Sequence, residues 1–509
     1  MKDLQVIQMG ARARKIKASL QTIMLLFTLS STDRRLSAQQ ETPPPPGPPR
    51  SVQFPKPVEK TLSNGLRVIV ASRPESVPLV TAMLMIKTGA EADPPELSGL
   101  ADMTANLLAK GTTTRSAPEI AEAIEALGGS LDAGARWDSS TISINVLSSR
   151  LPQAMEILSD VVRHPVFKEE EIERQRRQTL DGLQVALRQP GSLARFVASR
   201  VLFGDAPYAH PISGTLETVQ RIDRDAIVRF HRTYYRPDNA VLVIGGRISP
   251  EGAFALAERF FGDWARPAQP LTSSTSSARL PAKSRIVVID KPDAGQAAVI
   301  LVRAGIKRTD ADYFRGLVAN SVLGGGFSSR LNQEIRIRRG LSYGASSALD
   351  VRRDVGPFIA SAQTRNETAD EVAALMITEL ERLATDNLPD AELTPRKAAL
   401  IGNFARTIET TGGLVAQVAS LALYGLRLDE INDYIRNIQA ITADDVQRFT
   451  RERLNASEAN IVIVGNARSF LDDLKKRFPN VEVIKEDELD LNSGALRRSQ
   501  AQTGKEAGP

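Results

Sequence analysis

One stretch of this chain is written twice, and that constrains the fold more than any single motif. VQRIDRDAIVRFHRTYYRPDNAVLVIGG, from Val219, aligns without a gap to IQAITADDVQRFTRERLNASEANIVIVG, from Ile438, at an offset of 219 positions. Ile222 meets Ile441, Asp225 meets Asp444, Phe230 meets Phe449, Ala240 meets Ala459, Leu242 meets Ile461 and Gly246 meets Gly465. Each copy reads as an amphipathic helix, a polar turn and an apolar strand ending in glycine. A second echo sets Gly99-Leu100-Ala101 against Gly316-Leu317-Val318. A period this long means duplicated domains rather than a solenoid. RPAQPLTSSTSSARLPAK, residues 266–283, is the Pro/Ser/Thr-rich linker between the copies. The domains are expected at residues 57–265 and 284–489.

Within the first half the periodicities mix. Residues 58–62 and 66–71 flank Asn64-Gly65 and predict a hairpin. Residues 77–87 predict a strand, and residues 141–146 alternate as a half-buried one. Residues 99–110, 151–162 and 169–187 have helical spacing. Ser116 with Glu119 predicts a capping box opening a helix to Leu127. The expected class is α+β: two homologous domains, each a mainly antiparallel sheet covered by helices.

Composition excludes several chemistries. The 509 residues contain no cysteine, so disulfides, thiolate metal sites and cysteine nucleophiles are ruled out. The three histidines, His164, His210 and His231, are too scattered for a metal site built within one helix. The net charge of +5 resides wholly in residues 1–50, which hold eight basic and three acidic residues; the rest carries 57 of each. A neutral body lacks the phosphate-binding excess that nucleic-acid affinity requires, so no nucleic-acid partner is expected.

Those first residues have their own organisation. Arg12, Arg14, Lys15 and Lys17 precede a short apolar run, residues 23–29, and then Leu36-Ser37-Ala38. This is the layout of a secretory signal peptide, expected at residues 1–38, and it predicts an exported, periplasmic protein; a disordered cytosolic tail is the alternative. The apolar run is too short to span a bilayer, so no integral membrane protein is expected. A Pro-rich spacer follows at residues 39–56, and residues 490–509 read as a disordered tail.

GLADMTANLLAKGTTTRSAPEI, from Gly99, resembles the metal-site segment of the pitrilysin/insulinase zinc peptidases, and KEEEIERQRRQTLDGLQ, from Lys168, resembles their second ligand helix. Further likeness lies in YAHPISGT at residues 208–215, in RTYYRPDNAVLVIGG at residues 232–246, and most clearly in VLGGGFSSRLNQEIRIRRGLSYGASS at residues 322–347. The family carries an inverted H-x-x-E-H motif, with two imidazoles one helical turn apart and a glutamate base between them. The resemblance places those positions at Asp102, Ala105 and Asn106, and the later carboxylate ligand at Gly182, beside Asp181. Both histidines and the base are missing. Asp102 with Asp181 would make at most a weak oxygen site for a hard cation.

The resemblance further implies a role for the second half, which in this family supplies an Arg and a Tyr seven residues apart that reach towards peptide at a partner's zinc. Arg336 and Tyr343 stand at that spacing. The structural alternative pairs Arg336 with Glu334 or Asp350 and packs Tyr343 on the core. Arg338 and Arg339 stand at the wrong spacing from Tyr343 and are read as surface charges. Residues 324–326 lack the Gly-Lys-Ser/Thr of a phosphate loop and predict a tight turn. The family implication is therefore a metal-free, non-catalytic subunit, with zinc expected in a homologous partner that keeps the motif and with peptide as substrate. A structural scaffold, or a peptide-binding module without hydrolysis, are the other readings on the same fold.

Overall fold

The computed structural model describes Phe54 and residues 56–271 and 283–498. The expected signal peptide, most of the spacer and the middle of the linker lie outside the described residues. The first half builds a six-stranded sheet from β1 (Val58–Thr61), β2 (Arg67–Ser72), β3 (Leu79–Ile86), β4 (Ser130–Ala135), β5 (Ser140–Leu147) and β6 (Ala240–Gly246), in the order β1-β2-β6-β3-β5-β4. The second half builds another from β7 (Ile286–Asp290), β8 (Ala297–Ala304), β9 (Ser342–Leu349), β10 (Pro357–Thr364), β11 (Asn460–Gly465) and β12 (Val481–Lys485), in the order β12-β7-β11-β8-β10-β9. Both are mainly antiparallel; the parallel pairs are β2 with β6, and β7 with β11 and β12. The expected class is what the chain adopts.

The repeat is visible at residue resolution. The helix Arg224–Tyr234 and the helix Ala443–Arg453 stand 219 positions apart, each followed by the central strand of its sheet. Five strands correspond one to one. The outermost place is filled differently: by the hairpin strand β1 in the first sheet and by β12, from the far end of the chain, in the second.

Central strands are apolar without interruption because both of their faces are covered. In sheet one, Val80, Ala82, Leu84, Leu242 and Ile244 face the helices of their own half. The alternate residues Ile69, Ala71, Met85, Val241 and Val243 face Leu414, Val415 and Val418, on the second half's helix Thr411–Leu423. Sheet two returns the arrangement. Val287, Ile289, Ala298, Ile300 and Val462 meet Leu193, Ala194, Val197 and Val201, on the first half's helix Pro190–Phe203. Each half thus lends one helix to the other's sheet. Removal from water contributes roughly 1.5–3 kcal/mol for each large side chain so buried. Packing does not follow the boundary at residues 266–283, and both halves fall within one compact unit.

The chain end departs from expectation. Residues 490–498, expected to begin a disordered tail, are packed: Leu496 is fully buried, Arg200 Nε donates to the Leu491 carbonyl at 2.7 Å, and the Gly494 amide donates to Asp205 at 2.7 Å. Their low apolar content misled the reading, because Leu489, Leu491 and Leu496 find a ready apolar surface on the exchanged helix. Residues 499–509 lie outside the described residues.

Candidate functional site

The helix Leu100–Leu107 carries three of the four degenerate metal positions, and its start is tightly held. Gly99 caps it with a φ of 99°, and the buried Asp93 carboxylate accepts from the Gly99 and Ala101 amides at 2.8 Å each. One turn in, Asp102 accepts from the Ala135 amide of β4 at 3.5 Å, and burial raises its carboxyl above the usual range. Ala105 is fully buried. Asn106 donates its side-chain amide to the Asp102 carbonyl, 2.9 Å away, so its hydrogen-bonding is spent on its own helix. Gly182 is exposed on the neighbouring helix Glu169–Arg188, and a Cβ there would meet nothing within 4 Å. The three ligand positions therefore offer one carboxylate, a committed amide and no side chain, and the base position offers a methyl. That set does not fit a four-coordinate zinc shell.

Among the described residues no three His, Asp or Glu side chains converge for a metal ion. The histidines are engaged elsewhere. His210 turns its ring nitrogens to the Pro211 and Ala90 carbonyls at 2.9 and 3.1 Å. His231 bonds the Val162 carbonyl at 2.8 Å, and burial lowers its pKa to about 4. His164 lies 3.4 Å from Asp160.

In the second half the structure brings Arg336 and Tyr343 onto one edge of the sheet, both on irregular backbone. Arg336 belongs to a π-helical segment, Asn332–Arg338, a widened turn that often marks functional positions. Tyr343 stands where β9 bulges. Ala345 pairs with Ala362 and Ser342 with Thr364, so Tyr343 and Gly344 together oppose the single residue Gln363. A bulge re-aims its side chain, and Tyr343 is 89% exposed.

The structural alternative for the pair is not realised. Glu334 is taken by Arg338 at 3.0 Å and Arg339 at 2.8 Å, whose bonds hold its carboxyl below the usual range. Arg339 also reaches Glu371 at 2.9 Å, so these two arginines are clamps rather than free surface charges. Asp350 pairs with Arg352 at 2.6 Å. Arg336 has no ion-pair partner among the described residues; its guanidinium lies 4.8 Å from the centre of the Phe327 ring, a cation–π contact. Phe327 is itself 65% exposed, at the end of the Gly-rich turn.

That turn is pinned to the strand. A Cβ on Gly324 would lie 2.3 Å from the Ser347 amide nitrogen of β9, so only glycine permits the approach. Buried Asn332 donates to the Phe327 carbonyl and accepts from the Ala345 amide at 3.3 Å, tying turn, π-segment and bulged strand together. Sequence reasoning missed Phe327 and Asn332. Phe327 could have been noticed as an aromatic in a turn; Asn332 had no signal, because its importance lies in two long-range backbone partners.

Duplicated halves, each a six-stranded, mainly antiparallel sheet covered by helices and built in the same strand order, define a two-domain α+β fold. The insulinase model of peptidase family M16 matches residues 68–215, and the M16 inactive-domain model matches residues 221–400, the segment holding Arg336 and Tyr343. An uncharacterized zinc protease of Streptomyces coelicolor is 30% identical over 79% of this chain and 88% of its own length. One from Mycobacterium tuberculosis is 28% identical over 82% and 96%. A crystal structure described as a peptidase M16 inactive domain, from Pseudomonas fluorescens, superimposes with a TM-score of 0.75 at 28% identity, covering 80% of this chain and 97% of that one. The chain belongs to peptidase family M16. No helix among the described residues is long and apolar enough to cross a membrane.

Proposed function

We propose that this chain is the non-catalytic subunit of a heteromeric M16 peptidase, exported to the periplasm, which closes the peptide chamber against a homologous subunit with an intact H-x-x-E-H motif. The observation that carries the reading is a contrast within one chain. The metal-site positions keep one carboxylate and neither histidine nor base, whereas Arg336 remains without a carboxylate partner among the described residues and Tyr343 is exposed on a bulge. A guanidinium left unpaired beside an aromatic ring is available for charge-assisted bonds to a peptide carbonyl or carboxylate. An exposed phenol can donate to a carbonyl oxygen as negative charge grows there. Zinc, held by the partner, would supply the Lewis acidity; this chain's residues bind and orient. The zinc-protease names of the relatives and the inactive-domain match support the family setting of this reading.

The test has two arms. Purified alone, the chain should carry no stoichiometric zinc by elemental analysis and cleave no peptide. Reconstituted with the zinc-bearing homologue, Arg336→Ala and Tyr343→Phe should each lower kcat/KM by about 100-fold, the scale of losing one oriented donor. Zinc-dependent cleavage by the isolated chain would sink the proposal. Unchanged cleavage by both variants in an intact complex would favour a scaffold.

A further inference from the structure

Beside Tyr343, on the face of sheet two that receives the exchanged helix Pro190–Phe203, lies a cavity of about 290 Å³. Its polar lining includes Arg195, Gln296, Ser342, Tyr343, Ser346 and Gln363, and Ala298 and Ile300 of β8 also line it. Among the described residues no acidic side chain lines it, and Arg195 is the charged group that does. Arg195 has no ion pair among the described residues, and neither has Arg336 on the same sheet edge. The lining amides and hydroxyls can both donate and accept, which suits a peptide's polar groups better than an apolar ligand.

The cavity depends on two small residues. Gly191 lines it, and a Cβ there would lie 2.6 Å from the Gln363 amide nitrogen, so Gln363 occupies room that a side chain would take. Gly344, the second residue of the bulge, has open space where its Cβ would be, and this keeps the mouth beside Tyr343 clear. The exchanged helix brings Arg195 and Gly191 from the first half to strands of the second, so this chamber wall is shared by both halves.

We propose that this cavity is a subsite for a peptide carboxylate, that of an Asp or Glu side chain or of the chain's own C-terminus, drawn by Arg195 and hydrogen-bonded by Gln296, Gln363 and the β9 serines. The inference rests on the reading that this face meets peptide, and it adds what that reading lacks: a preference. Peptides that place a carboxylate one or two residues from the segment beside Tyr343 are favoured over neutral ones.

Binding by the isolated chain tests the subsite without any cleavage. Four N-acetylated pentapeptides serve as probes in titration calorimetry: pentaalanine as free acid and as amide, and tetraalanine amides ending in Glu or in Gln. The wild-type chain is expected to bind at least one carboxylate peptide about fivefold more tightly than its neutral match, the scale of a single solvent-accessible charged pair. Tight binding of the free acid assigns the C-terminus as the source; tight binding of the Glu amide assigns the side chain. Arg195→Gln should abolish the preference, and Gly191→Leu should weaken all four peptides by filling the cavity. No binding by the wild type, equal binding of the charged and neutral peptides, or a preference surviving Arg195→Gln overturns the proposal. Failure of partner-dependent cleavage with the carboxylate preference intact would count against the heteromer alone.

Discussion

At the scale of single residues, the site is set by which partners are already taken. Glu334 could have paired with Arg336, but Arg338 lies one helical turn on and Arg339 follows it, and both claim the same carboxylate. The sequence made Glu334 a candidate partner for Arg336; only the widened turn of the π-segment decided the competition. The glycines of residues 324–326 were legible as a turn, but not individually. A Cβ on Gly324 meets the Ser347 amide and hydroxyl, whereas one on Gly326 meets nothing within 4 Å. Gly324→Ala is therefore expected to destabilise the protein by about 1–3 kcal/mol through overpacking against β9. Gly326→Ala should change it by less than about 0.5 kcal/mol. Urea denaturation of the two variants compares them directly, and equal midpoints would refute the close-approach argument.

At the scale of elements, the duplicated plan is broken at its edges. The N-terminal hairpin completes one sheet, while β12 and the segment after it complete the other. That segment, residues 489–498, clasps the exchanged helix to its borrowed sheet: Arg200 of the helix donates to the Leu491 carbonyl at 2.7 Å, and Arg285, next to β7, donates to the Gly494 carbonyl at 2.9 Å. Truncation after Glu488 is expected to cost on the order of 3 kcal/mol from the loss of Leu489 and Leu496 burial. It should also raise hydrogen exchange in the helix Pro190–Phe203 selectively. A melting temperature equal to that of the full chain would show that the clasp holds nothing. Low hydrophobic content hid this segment, since three leucines suffice where their surface already exists.

At the scale of the molecule, the halves are joined by a polar seam as well as by exchanged helices. Asp138 of the first half, almost fully buried, accepts from the Arg353 amide at 2.8 Å and from the Tyr424 hydroxyl at 3.2 Å, both from the second half. Alongside, Glu91 pairs with Arg353 at 3.0 Å and accepts from the Gly89 amide at 2.8 Å. Burial pushes the Glu91 carboxyl up to about 7, against the pull of Arg353. A carboxyl whose folded pKa lies above its unfolded value binds more protons when folded, so its contribution to stability is full below the unfolded value near 4.5 and is lost as pH rises to about 7. Glu91→Gln keeps an acceptor for Gly89 and cannot ionise. The melting temperature of this variant relative to wild type should rise between pH 5 and pH 7 and level off above. A difference independent of pH across that window would refute the role of Glu91.

The sequence by itself determined the duplication and the α+β class, and its resemblance to the family pointed to Asp102, Ala105, Asn106 and Gly182 as the degenerate metal-site positions, because periodicity and motif are local properties of the chain. It also placed Arg336 and Tyr343 at the right spacing. Only the tertiary structure decided that Arg336 goes without a carboxylate among the described residues, that a bulge turns Tyr343 outward, and that each half covers the other's sheet. Those outcomes depend on competition between groups far apart in sequence for the same partners and the same buried surface, and no local pattern records which of them wins.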